Sequence, residues 1–322
     1  MPLTVADSCG VTIGRSLDLI YYIDRFVSFD SLTRVSGWVV GDSPLQRVSL
    51  VASGKELGAC NPLPSPDVAA HYPAKAHAKL ARFDIRSVSS AAATLDAMLR
   101  IHFTDSSVAV ISKLGTPSPS DAGHACYGNF LAMIGRMPPG NFLEIGARAR
   151  SGVTRREVIP PAWDYTGFDI IAGPNVDVVG DAHALSQSFP RLSFDAVMAI
   201  SVLEHILMPW KMVLELNAVM RLGGIALFHT HQAWPLHDEP WDFWRFSKDA
   251  WPALFNAKTG FEILQAGMGE PTFFVPLRVQ ASTNFDEQLS YLVSSVIVRK
   301  TSETMLSWDV NLRDAVDTAY PA

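Results

Sequence analysis

NFLEIGARARSG, residues 141–152, reads as a buried strand, a glycine turn and the start of a helix. The pattern continues downstream. YTGFDI (165–170) is a second strand ending in an acid, and NVDVVGDAH (175–183) is a third segment with an acid of its own. FDAVMAIS (194–201) makes a fourth strand and leads into VLEHI, while GGIALFHT (223–230) makes a fifth. Between those two lies KMVLELNAVMRL (211–222), whose apolar spacing predicts an amphipathic helix closed by Gly223 and Gly224. Strands alternating with helices imply an α/β domain, a mainly parallel sheet covered on both faces.

In an open parallel sheet, ligands sit beyond the carboxyl ends of the strands, where the strand order reverses. The turn after the first strand must then bring backbone close to the ligand, a task for glycine, and Gly146 is there. Glu144 can accept a hydrogen bond from a cationic ammonium or an ordered water. Asp169 ends the second strand about 20 residues on, where a carboxylate accepts both hydroxyls of a ribose. Asp181, with the Ala182 backbone, is placed to receive an adenine amine, and Ser201 would line the same crevice.

This order resembles the class I S-adenosylmethionine (SAM)-dependent methyltransferases, the type 11 group in particular. The resemblance implies a Rossmann-like seven-stranded domain over residues 118–322 with SAM as its cofactor. It places Glu144, Gly146 and Ala147 in the first motif, Asp169 and Ile170 in the second, and Asp181 with Ala182 in the third. Ser201 to His205 (SVLEH) match the segment after the fourth strand. One departure is plain: Arg148 and Arg150 stand where the usual turn has two more glycines, and Gly152 arrives later. A subset of the type 11 group carries a non-glycine turn of this sort. An NAD-dependent enzyme needs the same strand, turn and acid. Its pyrophosphate, however, wants bare backbone at a helix N-terminus, where these arginines crowd it; SAM carries no phosphate.

After the fifth strand comes HQAWPLHDEPWDFWRF (231–246), which resembles a signature of type 11 methyltransferases linked to surface glycans, with His237 to Phe246 matching closely. Trp234, Trp241 and Trp244 alternate with His237, Asp238, Glu239, Asp242 and Arg245. Aromatic faces beside carboxylates and histidines suit a sugar acceptor. His231 or His237 is the expected general base, and Trp234, Asp238, Trp241, Trp244 and Arg245 are the expected acceptor contacts. Alternatively, the stretch is a hydrophobic latch with an internal Asp242–Arg245 ion pair. His205 is as readily a hydrogen-bonded structural residue, and His229, inside a strand, reads as core. No His-x-x-x-His stands on a helix and His237-Asp238-Glu239 reads as a turn, so no metal is expected.

The first third of the chain is different. LIYYIDRFVSF, RVSGWVV, QRVSLVAS, KLARFDIRS, LDAMLRIHF and VAVISKL are short alternating runs separated by turn residues, which predicts an antiparallel β-sandwich over residues 1–117. GWVVGDSP and SPDVAAHYP resemble accessory domains of bacterial glycan-modifying enzymes, so Asp67 and His71 are either sugar contacts or a loop cap and a surface histidine. GTPSPSDAG (115–123) reads as the linker, and HACYGNFLAMIGRM as a helix stopped by MPPG. FEILQAGMGEP and YLVSSVIVRKTS fit the last two strands, the second antiparallel at the edge. The intervening 272–288 reads as a lid, and WDVNLRDAV as a terminal helix.

Composition narrows the rest. The chain of 322 residues is 48% hydrophobic and 18% charged, with net charge −6, so it lacks the basic footprint of a nucleic-acid binder. No apolar run approaches the ~20 residues of a membrane span. No secretory signal is read in MPLTVADSCG. Cys9, Cys60 and Cys126 are few and far apart, which fits a reducing cytoplasm. The expectation is a cytoplasmic, two-domain methyltransferase acting on an oxygen of a small-molecule or glycan acceptor, with homo-oligomerisation left open. The competing expectation is a catalytically silent carbohydrate-binding or scaffold module on the same fold.

Overall fold

The computed structural model describes residues 19–29, 32–88, 96–112, 114, 121–150, 152, 154–274 and 288–316. The chain divides into two compact units, Met1–Pro119 and Ser120–Ala322. The expected 117/118 boundary, the linker up to residue 120 and residues 275–287 of the expected lid lie outside the described residues.

The first unit holds two antiparallel sheets. One has the order β1 (Ile20–Phe29), β2 (Leu32–Val40), β5 (Arg82–Val88). The other runs β4 (Lys55–Cys60), β3 (Leu45–Ala52), β6 (Met98–Phe103), β7 (Val108–Ile111). Alternate residues of both sheets meet in one apolar cluster, with Val35, Phe83 and Ile85 from the first and Val48, Leu50, Leu99 and Ile101 from the second. Ser53 and Gly54 turn β3 into β4 with positive φ at both, as a two-residue hairpin requires. Asp67, on α1 (Pro66–His71), is held by Arg82, and the His71 ring packs edge-on against Tyr72, so both have partners within the fold.

The second unit is a seven-stranded mixed sheet flanked by helices. Its order is β10 (Val178–Val179), β9 (Asp164–Asp169), β8 (Asn141–Ile145), β11 (Phe194–Ile200), β12 (Met220–His231), β14 (Gln288–Lys300), β13 (Phe261–Phe274). The first five are parallel; β14 runs antiparallel to both neighbours. Successive residues feed opposite faces. Leu143, Val197, Phe228 and Val296 meet Met212, Val213 and Leu216 of α4 (Pro209–Val219) and Trp251 and Phe255 around α5 (Ala250–Leu254). Phe142, Met198, Leu227 and Ile297 instead meet Cys126, Phe130 and Ile134 of α2 (Ala122–Ile134). That alternation is why the strands read as continuous apolar runs rather than half-polar ones.

Two expectations are corrected. The antiparallel strand is interior, not at the edge: Val293 to Val298 of β14 are at most 4% exposed because β12 and β13 cover both its flanks. The edge strand is β13. Helix α4 ends at Val219, and the chain re-enters the sheet at Met220, so Gly223 and Gly224 lie within β12 and do not close the helix. Among the described residues no helix is long and apolar enough to cross a membrane.

Cys126 gives the fold a chemical marker. It is fully buried under α2, and burial pushes its thiol up to about 11. At pH 8 only about one molecule in a thousand then carries the reactive thiolate. Iodoacetamide followed by peptide mass spectrometry should leave Cys126 unmodified in the native protein and alkylated in urea. Native labelling at the rate of a free thiol would mean that α2 opens from the sheet.

Candidate active site

The carboxyl ends of β8, β9, β10 and β11 open into one cleft, lined by Gly146, Asp169, Ile170, Asp181, Ala182, Ser201 and His205 among others. Gly146 turns the chain at φ +76°, and its N–H and that of Ala147 donate to Phe168 O at 2.8 and 3.0 Å. This ties the turn to the end of β9. Asp169 braces the same corner: its carboxylate accepts from Arg148 N at 3.2 Å and Ile171 N at 3.0 Å. Gly167 is needed because a Cβ there would sit 2.0 Å from Asn175 O. Asp181 caps a short 3-10 turn (Ala182–Ala184) and accepts from His183 N at 2.9 Å, with His183 Nδ1 at 2.7 Å from the same oxygen. Burial raises the Asp181 carboxyl, but these bonds outweigh it and hold it below the ordinary range.

Two expected cofactor residues stand back from the cleft. Ala147 points its side chain into the fold and is 4% exposed. Glu144 is 2% exposed, accepts from Tyr165 OH, and has Arg155 Nη1 at 3.4 Å. Burial pushes its carboxyl up against the pull of Tyr165 and Arg155. It reaches the cleft only through Arg155, which does line it. Arg155 carried no signal in the sequence because its partner is eleven residues back, on the strand it folds against. The cleft also takes His183, Val202 and Phe243, and Leu312 and Val316 from around α6 (Leu312–Ala315).

The arginines of the turn have work in the structure. The Arg150 guanidinium forms a two-pronged pair with Asp238, with Nη2 to Oδ1 at 2.8 Å, joining the turn after β8 to the loop after β12. That contact, more than burial, keeps the Asp238 carboxyl below its usual value. Arg148 lies over Gly173, its Nε 3.9 Å from Asp169 Oδ1.

Of the expected acceptor contacts, Asp238 and Trp241 line the cleft, whereas Trp234, Trp244 and Arg245 do not. Arg245 is corrected to a brace of its own loop. It grips Asp242 at 2.6 and 2.7 Å and donates to the carbonyls of Trp234, Pro235 and Trp244, which uses the donors an anionic acceptor would need. Trp244 Nε1 donates to Ile206 O at 3.0 Å, so it is a latch. Trp234 stacks on His231, with centroids 5.0 Å apart. His229 donates to or accepts from Ser295 at 2.7 Å inside the sheet, and burial drops its pKa to about 4.

His231 and His237 converge with His205 on one residue, Glu204. Its Oε2 accepts from Thr230 Oγ1 at 2.5 Å. Its Oε1 lies 3.1 Å from His231 Nε2 and 3.9 Å from both His205 Nε2 and His237 Nε2. Burial would raise this carboxyl, but His231 and Thr230 outweigh burial and hold it below the usual range. In the sequence Glu204 reads as part of the LEH motif, and Thr230, His231 and His237 come from the strand and loop 26 to 33 residues later.

Residues 124–266, which carry most of this cleft, match the family model of a methyltransferase domain. No curated protein matches the sequence. The YcgJ protein of Bacillus subtilis is 18% identical, over 56% of this chain and 99% of that one, with a TM-score of 0.40. A Burkholderia thailandensis 1,6-didemethyltoxoflavin-N1-methyltransferase, solved with its toxoflavin and S-adenosylhomocysteine, is 14% identical over 56% and 79%, with a TM-score of 0.41. The [4+2]-cyclase SpnF is 15% identical over 54% and 80%, at 0.38.

Proposed function

We propose that the second unit is a SAM-dependent methyltransferase that methylates an oxygen of a sugar or glycan precursor. The observation that carries this reading is the juxtaposition, in one cleft of a methyltransferase-type segment, of the Gly146 turn, Asp169, Asp181 and Ser201. In it, Asp169 takes the ribose hydroxyls, Asp181 with Ala182 takes the adenine amine, and Ile170 and His205 pack beside them. Methyl transfer from a sulfonium is an in-line displacement, so most of the rate comes from positioning the acceptor oxygen. A histidine that accepts the hydroxyl proton adds to that. The two candidates for that base are His231, beside Glu204, and His237, beside Asp242; both stand behind the residues that line the cleft. The first unit is read as an accessory domain for the glycan.

Calorimetric titration with S-adenosylhomocysteine, with NAD as control, tests the cofactor on the wild type and on Asp169→Ala. Micromolar binding of S-adenosylhomocysteine, at least about tenfold weaker in the variant, is expected. The Arg150–Asp238 pair supports a second reading, a silent carbohydrate-binding or scaffold module whose cleft is closed. Absence of binding to either ligand would replace the first reading with that one.

A further inference from the structure

Glu204 Oε1 is fully buried and has no hydrogen-bond partner, although three imidazoles surround it. His231 Nε2, the nearest at 3.1 Å, approaches at an angle too bent for a hydrogen bond. The other two rings have their tautomers set from behind. His205 Nδ1 is 2.7 Å from Trp241 O, and His237 Nδ1 is 3.2 Å from Pro235 O and 3.1 Å from Asp242 Oδ2. Carbonyl and carboxylate oxygens only accept, so both Nδ1 atoms carry the proton. In the neutral rings, Nε2 is then the lone-pair nitrogen. Both lone-pair nitrogens face the unsatisfied carboxylate oxygen, and the three atoms lie within 4.8 Å of one another.

Acceptors gathered around an acceptor repel unless a cation sits between them. A ring whose Nδ1–H is anchored on a carbonyl or carboxylate while Nε2 points inward is the arrangement that orients a metal ligand. Ligand atoms about 2.0–2.2 Å from a tetrahedral ion stand roughly 3.3 Å apart, so the carboxylate-to-histidine distances would close by about 0.6 Å and the widest separation by up to about 1.5 Å to take the ion. We propose that Glu204 Oε1, His205 Nε2 and His237 Nε2 hold a divalent first-row cation, Zn²⁺ by ligand type, with Thr230 steadying the carboxylate through its other oxygen. Three protein ligands leave a coordination position open. His205, which also lines the cleft beside Asp238, puts that position at the acceptor side. On the methyltransferase reading, the open position takes the acceptor's hydroxyl oxygen, and His237, as a ligand, is then not the base. The ion site itself does not depend on that reading.

The test is metal binding. The full chain, stripped with EDTA, is titrated with Co²⁺ and followed by its visible d–d absorption and by calorimetry, then challenged with Zn²⁺. One Co²⁺ per chain with the d–d bands of a nitrogen–oxygen site, displaced by Zn²⁺, is expected. His237→Ala and Glu204→Gln should each weaken binding by at least about 100-fold, with far-ultraviolet circular dichroism unchanged. S-adenosylhomocysteine affinity is measured on the same samples. Lost Co²⁺ with retained S-adenosylhomocysteine binding in His237→Ala supports the site. Wild type without d–d bands, or variants that bind Co²⁺ as the wild type does, overturns it whatever the S-adenosylhomocysteine result. S-adenosylhomocysteine failing to bind a wild type that takes up Co²⁺ would sink the methyltransferase reading and leave the ion site standing.

Discussion

Replacing Gly146 with alanine is expected to lower the melting temperature of the second unit by about 5–15 °C and to weaken S-adenosylhomocysteine binding at least tenfold. Two costs add. A side chain at φ +76° costs about 1–2 kcal/mol, because Cβ crowds the following carbonyl. The new Cβ would also stand 2.2 Å from Val202 Cγ2. Valine is stiff at χ1, so turning Cγ2 away costs rotamer energy. Overpacking of this kind costs about 1–3 kcal/mol more. Val202 lines the cleft and leads into Leu203 to His205, so its displacement reaches the binding residues as well as the turn. Gly152→Ala separates the two costs. Its φ is +77°, yet nothing lies within 4 Å of its would-be Cβ, so only the backbone cost remains and a few degrees should be lost. Equal melting temperatures for the two variants, read by differential scanning fluorimetry, would show that contact with Val202 is not what requires glycine at 146.

That glycine was legible in the sequence, and the reason is general. A strand, a turn that needs positive φ and an acid at the next strand end are local features, written within about 30 residues of each other. The alternation of strands and helices and the placing of Gly146, Asp169, Asp181 and Ser201 at strand ends follow from such local features. What escaped is what depends on partners far along the chain. Arg150 reads as crowding in a phosphate turn until Asp238, 88 residues away, is seen opposite it. Arg245, by contrast, has its main partner three residues back, and the Asp242–Arg245 ion pair is one of the two readings its sequence offers. Glu204, His205 and His237 do not read as a metal set, because no spacing rule joins the end of β11 to a loop beyond β12. The interior place of β14 could have been read: SSVIVRK is apolar on both faces, which an edge strand with one open flank seldom is.

The end of helix α4 is the sharpest case, and it carries the second large effect. Sequence reasoning closes that helix on Gly223 and Gly224, yet it stops at Val219 with no glycine near. The last carbonyls of a helix need donors from outside it. Here one donor comes from β14: Lys300, fully buried, donates from Nζ to Asn217 O at 2.6 Å and Met220 O at 3.0 Å, and also to the Glu303 carboxylate. Asn217 Nδ2 extends the same seam to Thr259 O and Ser302 O at 3.0 and 2.9 Å. A lysine ammonium is tolerable without water here because its three protons have three acceptors. Lys300→Met keeps the aliphatic stem and nearly the volume, so it removes the donors and little else. Each carbonyl left without a partner costs about 1–3 kcal/mol, and a loss of about 2–5 kcal/mol in total is expected from urea unfolding. The denaturant slope should stay unchanged, since the native surface hardly changes. Glu303→Gln keeps an acceptor for the third proton but removes the counter-charge of a buried ammonium, so it should cost less than Lys300→Met without being neutral. A Lys300→Met protein as stable as the wild type would mean that the carbonyls of Asn217 and Met220 find other donors and that α4 is ended by the strand geometry alone.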